Sequence, residues 1–236
     1  MTPQSLANHD SARIQRAVEV AKKAHEGQLR KTGEPYIVHP LAVKKILEEW
    51  GMDEDTIIAG ILHDTVEDTN LTLDDIKQEF GESVAFLVDG VTKLSTARNG
   101  MRDIDTYLPA TKDNFLRLMI ALGDDIRVLI IKLADRLHNL RTLSALPPDK
   151  QKKIAKESLE VFAPLADRLN MGRLRVEMAD LSFKYVDPKR YNELKELIDK
   201  YNKSAEKSLK KIEEEISAAL RKEKIHFEIS GRVKSG

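Results

Sequence analysis

Apolar residues recur at three- and four-residue spacing along most of this chain. The first such repeat begins at Ile14 and ends at Ala24. This spacing places the apolar side chains on one face of an amphipathic helix, with charged residues on the opposite face. The same period predicts further helices at about residues 40–50, 53–63, 72–81, 82–96, 124–145, 149–170, 172–187 and 189–222.

Two segments interrupt the helical period. Between Gly27 and Gly33 the chain has mixed charge, which is typical of a loop that joins two helices. Residues 98–109 show no period, and the dipeptide Asn99-Gly100 within them is a strong turn signal. We therefore predict an exposed, mobile loop over residues 98–109.

The period changes only near the end of the chain. From His226 to Ser230 apolar and polar residues alternate, as they do in a half-buried β-strand. Because a lone strand is not stable, we expect the sequence to stop at the entrance to a second, mixed α/β domain. The predicted fold class is all-α, a helical bundle with linking helices, followed by the first strand of a truncated α/β domain.

Composition indicates the general class of protein but says little about its function. Hydrophobic residues make up 41% and charged residues 33% of the chain, which indicates a folded globular protein. Lys+Arg and Asp+Glu both number 39, so net charge indicates neither a nucleic-acid nor a membrane partner. Cysteine is absent, which excludes disulfides and thiolate metal sites. With no signal-peptide pattern and no apolar run of membrane length, we expect a cytoplasmic protein.

Four residues in three segments form a set of ligands suited to one divalent metal ion. They are His39, the dipeptide His63-Asp64, and Asp135. Imidazole plus carboxylate is compatible with Mn²⁺, Fe²⁺, Co²⁺ or Zn²⁺. Four protein ligands around a six-coordinate ion leave two positions for water and a substrate oxygen, which favours a catalytic site over a closed structural one.

Each of these residues also has an ordinary structural interpretation. His39 is compatible with a helix cap, and His63 with a hydrogen-bonded histidine of the core. Asp135 is compatible with an ion pair to Lys132 or Arg136, because an unpaired carboxylate in so apolar a helix would be very costly. One metal ion explains the four residues together better than four separate structural roles do.

An acidic pair follows the His-Asp dipeptide closely. Glu67 and Asp68 lie one helical turn after His63 and Asp64, on matching faces if the turn stays helical. One of the two carboxylates could hold or deprotonate an attacking water molecule. A solvated acidic turn is the alternative, and only proximity to a metal favours the catalytic role.

A polar stripe extends from Asp135 along its helix. Asn139 and Thr142 follow at i+4 and i+7, so an amide and a hydroxyl lie in line with a candidate metal ligand. Such a stripe could orient the sugar or the phosphates of a nucleotide. His138 is rotated off the stripe, and we predict a structural role for it.

The motifs resemble those of the HD phosphohydrolase superfamily, an all-helical fold with a metal ion at its centre. Three longer strings are similar to the hydrolase domain of the long RelA/SpoT-type (p)ppGpp synthetase/hydrolases. These strings are RKTGEPYIVHP at residues 30–40, HDTVEDT at 63–69 and IKLADRLHNLRTL at 131–143. The resemblance extends from about residue 12 to the end of the chain.

This resemblance implies an HD-domain helical bundle with linking helices over residues 1–186, and the N-terminal fragment of a synthetase domain over residues 187–236. It also implies a 3′-pyrophosphohydrolase of the stringent response that uses one Mn²⁺ ion and converts (p)ppGpp to GDP or GTP plus pyrophosphate. By position, the implied roles are metal binding for His39, His63, Asp64 and Asp135, catalysis for Glu67 and Asp68, guanine binding for Arg30, Lys31 and Thr32, and sugar and phosphate contacts for Asn139 and Thr142.

The implied partners follow from the same resemblance. The substrate is a guanine nucleotide, ppGpp or pppGpp, while the synthetase and regulatory domains lie beyond residue 236 and the ribosome is contacted only through that region. We expect no synthetase activity from this chain. Two alternatives stay open: an HD phosphohydrolase that acts on another nucleotide, and a regulatory module that binds a nucleotide without turning it over.

Overall fold

The computed structural model describes the backbone of residues 11–102, 125–223 and 225–231, with side chains over the same ranges except 96–102. Every regular element in these ranges is helical, which confirms the predicted all-α class. No helix in the described ranges is both long enough and apolar enough to cross a membrane. The α-helices of the described ranges are α1 (Ala12–Ala24), α2 (Val38–Glu49), α3 (Glu54–Leu62), α4 (Thr65–Asp68), α5 (Leu73–Phe80), α6 (Glu82–Arg102), α7 (Ile126–Arg141), α8 (Pro148–Glu157), α9 (Ala163–Arg168), α10 (Gly172–Val186) and α11 (Pro188–Lys222).

Local sequence signals explain where several helices begin and end. Asp53 accepts a hydrogen bond from the first turn of α3, and Thr72 with Asp75 forms the predicted capping box of α5. Gly51 and Gly81 follow α2 and α5 at φ of 71° and 96°, a left-handed conformation that glycine adopts without steric cost. These boundaries agree with the predicted ones to within a few residues.

The core forms around α3, which is buried from Thr56 to Leu62 and packs against α1, α2, α6 and α7. Two glycines permit the closest approaches. A Cβ atom at Gly60 of α3 would overlap Leu47 of α2, and one at Gly90 of α6 would lie 2.7 Å from Cγ2 of Val128 in α7. The α2 and α3 helices are therefore held tightly together, and so are α6 and α7.

One predicted boundary is wrong. The helix expected to end near residue 96 continues to Arg102, so residues 98–102 are helical and do not form the predicted loop. The residues Asn99 and Gly100 each lower helix propensity by about 1 kcal/mol or less, too little to end a helix that is already established. The remainder of the predicted loop, residues 103–109, lies outside the described part of the chain.

The region predicted as one helix over residues 149–170 has a more complex course. A π-helical segment, Ser158–Phe162, separates α8 from α9. The helical course ends at Arg168, and Asn170 then adopts a positive φ of 58°. A short 3₁₀-helix, Leu143–Ala145, likewise replaces the last turn predicted for α7.

The predicted strand is not formed in the described structure. Residues 225–231 have no regular secondary structure. A β-strand requires a neighbouring strand for its backbone hydrogen bonds, and the described residues contain none. The alternation of apolar and polar residues from His226 to Ser230 is therefore not sufficient by itself to define a strand here.

The chain divides into two compact units, residues 1–182 and 183–236. The first unit contains the core around α3 and all the candidate site residues. The second contains the 35 residues of α11, along which Gly231 approaches the side chains of Leu209 and Glu213. The predicted functional division at residues 186 and 187 stays a prediction.

Candidate active site

The four candidate metal ligands lie in or directly after three different helices. His39 lies in the first turn of α2, His63 and Asp64 directly follow α3, and Asp135 lies near the middle of α7. Both histidines and Asp135 are buried, with exposed fractions of 2%, 0% and 7%. The packing of α2, α3 and α7 thus delivers all four residues to the interior of the first unit.

The donor atoms of these four residues converge on one point. His63 Nε2 lies 3.3 Å from His39 Nε2 and 3.0 Å from Asp64 Oδ1. Asp135 Oδ1 lies 3.4 Å from His39 Nε2 and 3.9 Å from His63 Nε2. Ligand atoms of His39, His63 and Asp135 all fall within 4.8 Å of one another. Folding therefore brings together the residues that the sequence grouped.

The chemistry of this cluster fits a divalent cation. His63 Nδ1 lies 2.8 Å from the carbonyl oxygen of Gly60 and donates to it, so Nε2 is the nitrogen directed at the cluster. Burial opposes the ionisation of Asp64, but His63 and His39 outweigh it and hold the pKa of this carboxyl group well below its usual range. Two imidazole nitrogens and ionised carboxylates make the cluster able to bind a divalent metal ion.

Asp135 also has the structural partner that the sequence offered as an alternative. Lys132 Nζ lies 2.9 Å from Asp135 Oδ2 and 3.0 Å from Ser95 Oγ. Arg136, the other candidate, pairs with Glu157 at 2.9 Å. Burial opposes ionisation of Asp135, but Lys132 and the histidines together hold its pKa well below the usual range. Asp135 therefore pairs with Lys132 through Oδ2 and faces the two histidines of the cluster through Oδ1.

Glu67 and Asp68 lie in α4, directly after the His-Asp dipeptide, and both are exposed. Desolvation raises the pKa of Glu67, and the nearby carboxylates of Asp64 and Asp68 add to the effect, while Lys132 opposes it. Glu67 is thus the acidic group of this site whose pKa is shifted toward neutrality.

Tyr36 joins Asp64 to Asp68, a role that was not predicted from the sequence. Its hydroxyl donates to Asp64 Oδ2 at 2.6 Å and also lies 3.3 Å from Asp68 Oδ2. Desolvation and the carboxylates of Asp64, Asp68 and Asp135 raise the pKa of Tyr36, so it stays a donor. The only available signal was its position three residues before His39.

The predicted guanine-binding loop is a short hairpin. Leu29 and Pro35 pair across it, and Gly33 closes the turn at a φ of 85°. Lys31 and Thr32 are exposed at its tip. Arg30, by contrast, is half-buried and its guanidinium donates to Asn139 Oδ1 at 2.9 Å. The hairpin is therefore tied to α7 through its first predicted substrate residue.

Asn139 and Thr142 differ in their relation to the cluster. Asn139 Nδ2 donates to Asp135 Oδ1 at 2.5 Å, so Asn139 contacts a candidate metal ligand directly. Thr142 ends α7, and its hydroxyl donates to the carbonyl oxygen of His138 at 3.1 Å. The structure thus brings Asn139 to the cluster, whereas the described contacts of Thr142 are those of a helix end.

His138 is a second residue whose place in the site was not predicted. It is buried, and its Nδ1 lies 2.7 Å from His39 Nδ1. Burial lowers the pKa of His138 to about 4, and the neighbouring His39 and Arg30 contribute in the same direction. The prediction of a structural role rested on the helical stripe alone, which does not report contacts made to other helices.

A family model for the HD domain matches residues 17–172, more than half of the chain. The chain belongs to the HD-domain family. The match includes the hairpin, the four candidate metal ligands and α7, so the HD domain covers the whole site described above.

Curated relatives of this HD domain have names that point to guanine nucleotides. The chain is 47% identical over 221 residues to a probable GTP pyrophosphokinase of Mycobacterium leprae, covering 94% of this chain and 27% of that protein. It is 44% identical over 222 residues to the bifunctional (p)ppGpp synthase/hydrolase SpoT of Escherichia coli K12, covering 94% and 31%. The chain thus spans between a quarter and a third of the length of these relatives.

A solved structure resembles the HD domain described here. It belongs to a metazoan ortholog of SpoT that hydrolyses ppGpp, with a TM-score of 0.54 and 27% sequence identity. The match covers 75% of this chain and 97% of that protein. The predicted relation to the RelA/SpoT-type proteins is therefore confirmed.

Proposed function

We propose that this HD domain is a guanosine-3′,5′-bis(diphosphate) 3′-pyrophosphohydrolase, which converts ppGpp or pppGpp to GDP or GTP plus pyrophosphate. The observation that carries the proposal is the complete cluster of His39, His63, Asp64 and Asp135, with Glu67 and Asp68 beside it. Relatives at similar identity are named for synthesis or for hydrolysis, so their names alone do not distinguish between the two activities. The buried metal-type cluster favours hydrolysis.

In this proposal the four clustered residues hold one Mn²⁺ ion. Mn²⁺ accepts both imidazole and carboxylate ligands, which matches the donor set of His39, His63, Asp64 and Asp135. When bound, the ion would polarise a phosphoryl oxygen and lower the pKa of water. The protein's own contribution is to hold the ligands rigidly, since α3 packs against α2 at Gly60 without space for a Cβ atom, and α7 packs in the same way against α6 at Gly90.

Glu67 is the proposed general base. Its raised pKa brings it closer to the operating pH, which favours a carboxylate as proton acceptor. The oxygen of a water molecule attacks the phosphorus bonded to the ribose 3′-oxygen, Glu67 accepts the proton, and the P–O3′ bond breaks. Asp68, hydrogen-bonded to Tyr36, orients the water and the 3′-pyrophosphate. The departing nucleoside oxygen takes up a proton and completes the reaction.

The hairpin and α7 form the proposed nucleotide-binding part. Lys31 and Thr32 are exposed at the tip and available to the guanine base, and the Arg30 guanidinium can stack on it. Asn139 and Thr142 are proposed to contact the sugar and phosphates. In the same proposal, residues 1–186 are the hydrolase with its linking helices, and residues 187–236 begin a synthetase domain.

The test is a time course of ppGpp with the purified chain in Mn²⁺, in Mg²⁺ and in EDTA, with products resolved by chromatography. We expect GDP and pyrophosphate in equal amounts with Mn²⁺ and intact ppGpp in EDTA. Glu67→Gln should lower kcat by about 10²–10⁴-fold, the usual contribution of a general base. Glu214→Gln, the same change at an exposed residue of α11, is the matched control and should be unchanged.

Two results would contradict the proposal in different ways. Cleavage of another nucleotide with ppGpp left intact would show that the substrate of this HD domain is a different nucleotide. Tight binding of ppGpp without any turnover in Mn²⁺ would instead indicate a sensor.

A further inference from the structure

His138 lies between the candidate metal cluster and the hairpin. Its Nδ1 atom is 2.7 Å from His39 Nδ1 and 3.3 Å from Arg30 Nη1. The centroids of the His138 and His39 rings are 4.9 Å apart, and His138 is 8% exposed. His138 therefore contacts a candidate metal ligand and a hairpin residue through the same nitrogen atom.

Arg30 decides the direction of these hydrogen bonds. A guanidinium group has only N–H donors, so His138 Nδ1 has to accept from Arg30. A nitrogen that accepts carries no proton, so His39 Nδ1 is the donor in the short contact between the two rings, and the single lone pair of His138 Nδ1 is shared between the N–H groups of His39 and Arg30. The ring proton of His39 is thereby placed on Nδ1. Its Nε2, which faces the cluster, keeps the lone pair that a metal ion requires.

Without this acceptor the surroundings of His39 would favour the opposite tautomer. Its Nε2 lies 3.4 Å from Asp64 Oδ2 and 3.4 Å from Asp135 Oδ1. Two carboxylates at this distance attract a ring proton to Nε2, which would block the atom directed at the cluster. His138 supplies a competing acceptor on the other side of the ring.

We propose that His138 is a positioning residue that holds His39 in the tautomer able to bind the metal ion, and that its contact with Arg30 couples the hairpin to the metal cluster. This inference rests on the metal-binding part of the proposed function. His138 itself is not a ligand, so its loss should weaken metal binding and leave the cluster in place.

Two substitutions separate hydrogen bonding from packing. His138→Asn keeps an acceptor oxygen close to the position of Nδ1, while His138→Leu has a similar size and no acceptor. His226→Leu, at an exposed histidine of the second unit, is the control. Calorimetric titration with Mn²⁺ should show a Kd about 10–100-fold higher for His138→Leu, the usual effect of losing such a support. His138→Asn should stay near the unmodified protein, and thermal unfolding checks that each variant is folded.

The tautomer can be read directly in the metal-free protein. Long-range ¹⁵N–¹H NMR of the histidine rings should show His39 protonated at Nδ1, and protonated at Nε2 in His138→Leu. Arg30→Met removes the group that fixes the direction, so both tautomers of His39 should then be seen. Finding His39 protonated at Nε2 in the unmodified protein overturns the inference, as does unchanged Mn²⁺ affinity in His138→Leu. A folded protein with the Nδ1–H tautomer that binds no Mn²⁺ would instead reject the metal site and with it the proposed function.

Discussion

Replacing Gly60 with alanine should force apart two helices that carry the candidate metal ligands. A Cβ atom at this position of α3 would overlap Leu47 Cδ1 and lie 3.4 Å from Val43 Cγ1, both in α2. Leu47 is fully buried, so its side chain has no open space to move into. Overpacking of this kind costs about 1–3 kcal/mol. Alanine in place of glycine offsets about 1 kcal/mol through helix propensity, which leaves a net loss of up to about 2 kcal/mol.

The same substitution should weaken metal binding. The carbonyl oxygen of Gly60 accepts from His63 Nδ1 at 2.8 Å, and α2 carries His39, so a shift between the two helices changes the distance between the two imidazoles. Urea unfolding and calorimetric Mn²⁺ titration measure the two effects. Gly172→Ala is the control, because a Cβ there meets nothing within 4 Å. Unchanged stability together with unchanged Mn²⁺ affinity in Gly60→Ala would refute the packing argument.

Two further predictions concern the charges of the cluster. Burial lowers the pKa of His63, but Asp64 and Asp135 outweigh it and raise the pKa to about 9. This value exceeds the value of about 6.5 in an unfolded chain. In metal-free protein the stabilisation is therefore fully present below about pH 6.5 and is lost as the pH rises through about 9. Because a metal ion must displace this proton, calorimetry should show Mn²⁺ affinity rising about tenfold per pH unit between about pH 7 and 8.5, and a flat profile would contradict this. Lys132→Met should destabilise the metal-free protein by about 3–5 kcal/mol in urea unfolding, because Asp135 loses its buried partner. The loss of stability should be smaller with saturating Mn²⁺. An equal loss in both states would show that the ion does not compensate the charge of Asp135.

The convergence of the four candidate ligands could be predicted because their chemistry is specific. Two imidazoles and two carboxylates in mainly apolar helices need partners, and one cation satisfies them all. The ion pair between Lys132 and Asp135 was also accessible, since the two residues are three positions apart on one helix. Helix boundaries followed from caps and glycines, as at Thr72 and Gly81.

Contacts between helices could not be predicted from the sequence. The position of His138 beside the cluster depends on how α7 packs against α2, which the period of a single helix does not contain. The position of Tyr36 depends likewise on how the segment before α2 meets Asp64 and Asp68. The strand expected at residues 226–230 depends on a partner strand, so its local alternation was not decisive. The extension of α6 through residues 98–102 shows a similar limit, because cooperative propagation of the helix outweighs one asparagine and one glycine.

The most direct test of the account is the position of the metal ion itself. Crystals of the chain grown with Mn²⁺ should give a single anomalous difference peak, recorded at the manganese edge, within bonding distance of His39 Nε2, His63 Nε2, Asp64 and Asp135. We predict one ion that contacts all four residues. A peak elsewhere, or none at this cluster in metal-saturated crystals, would contradict it.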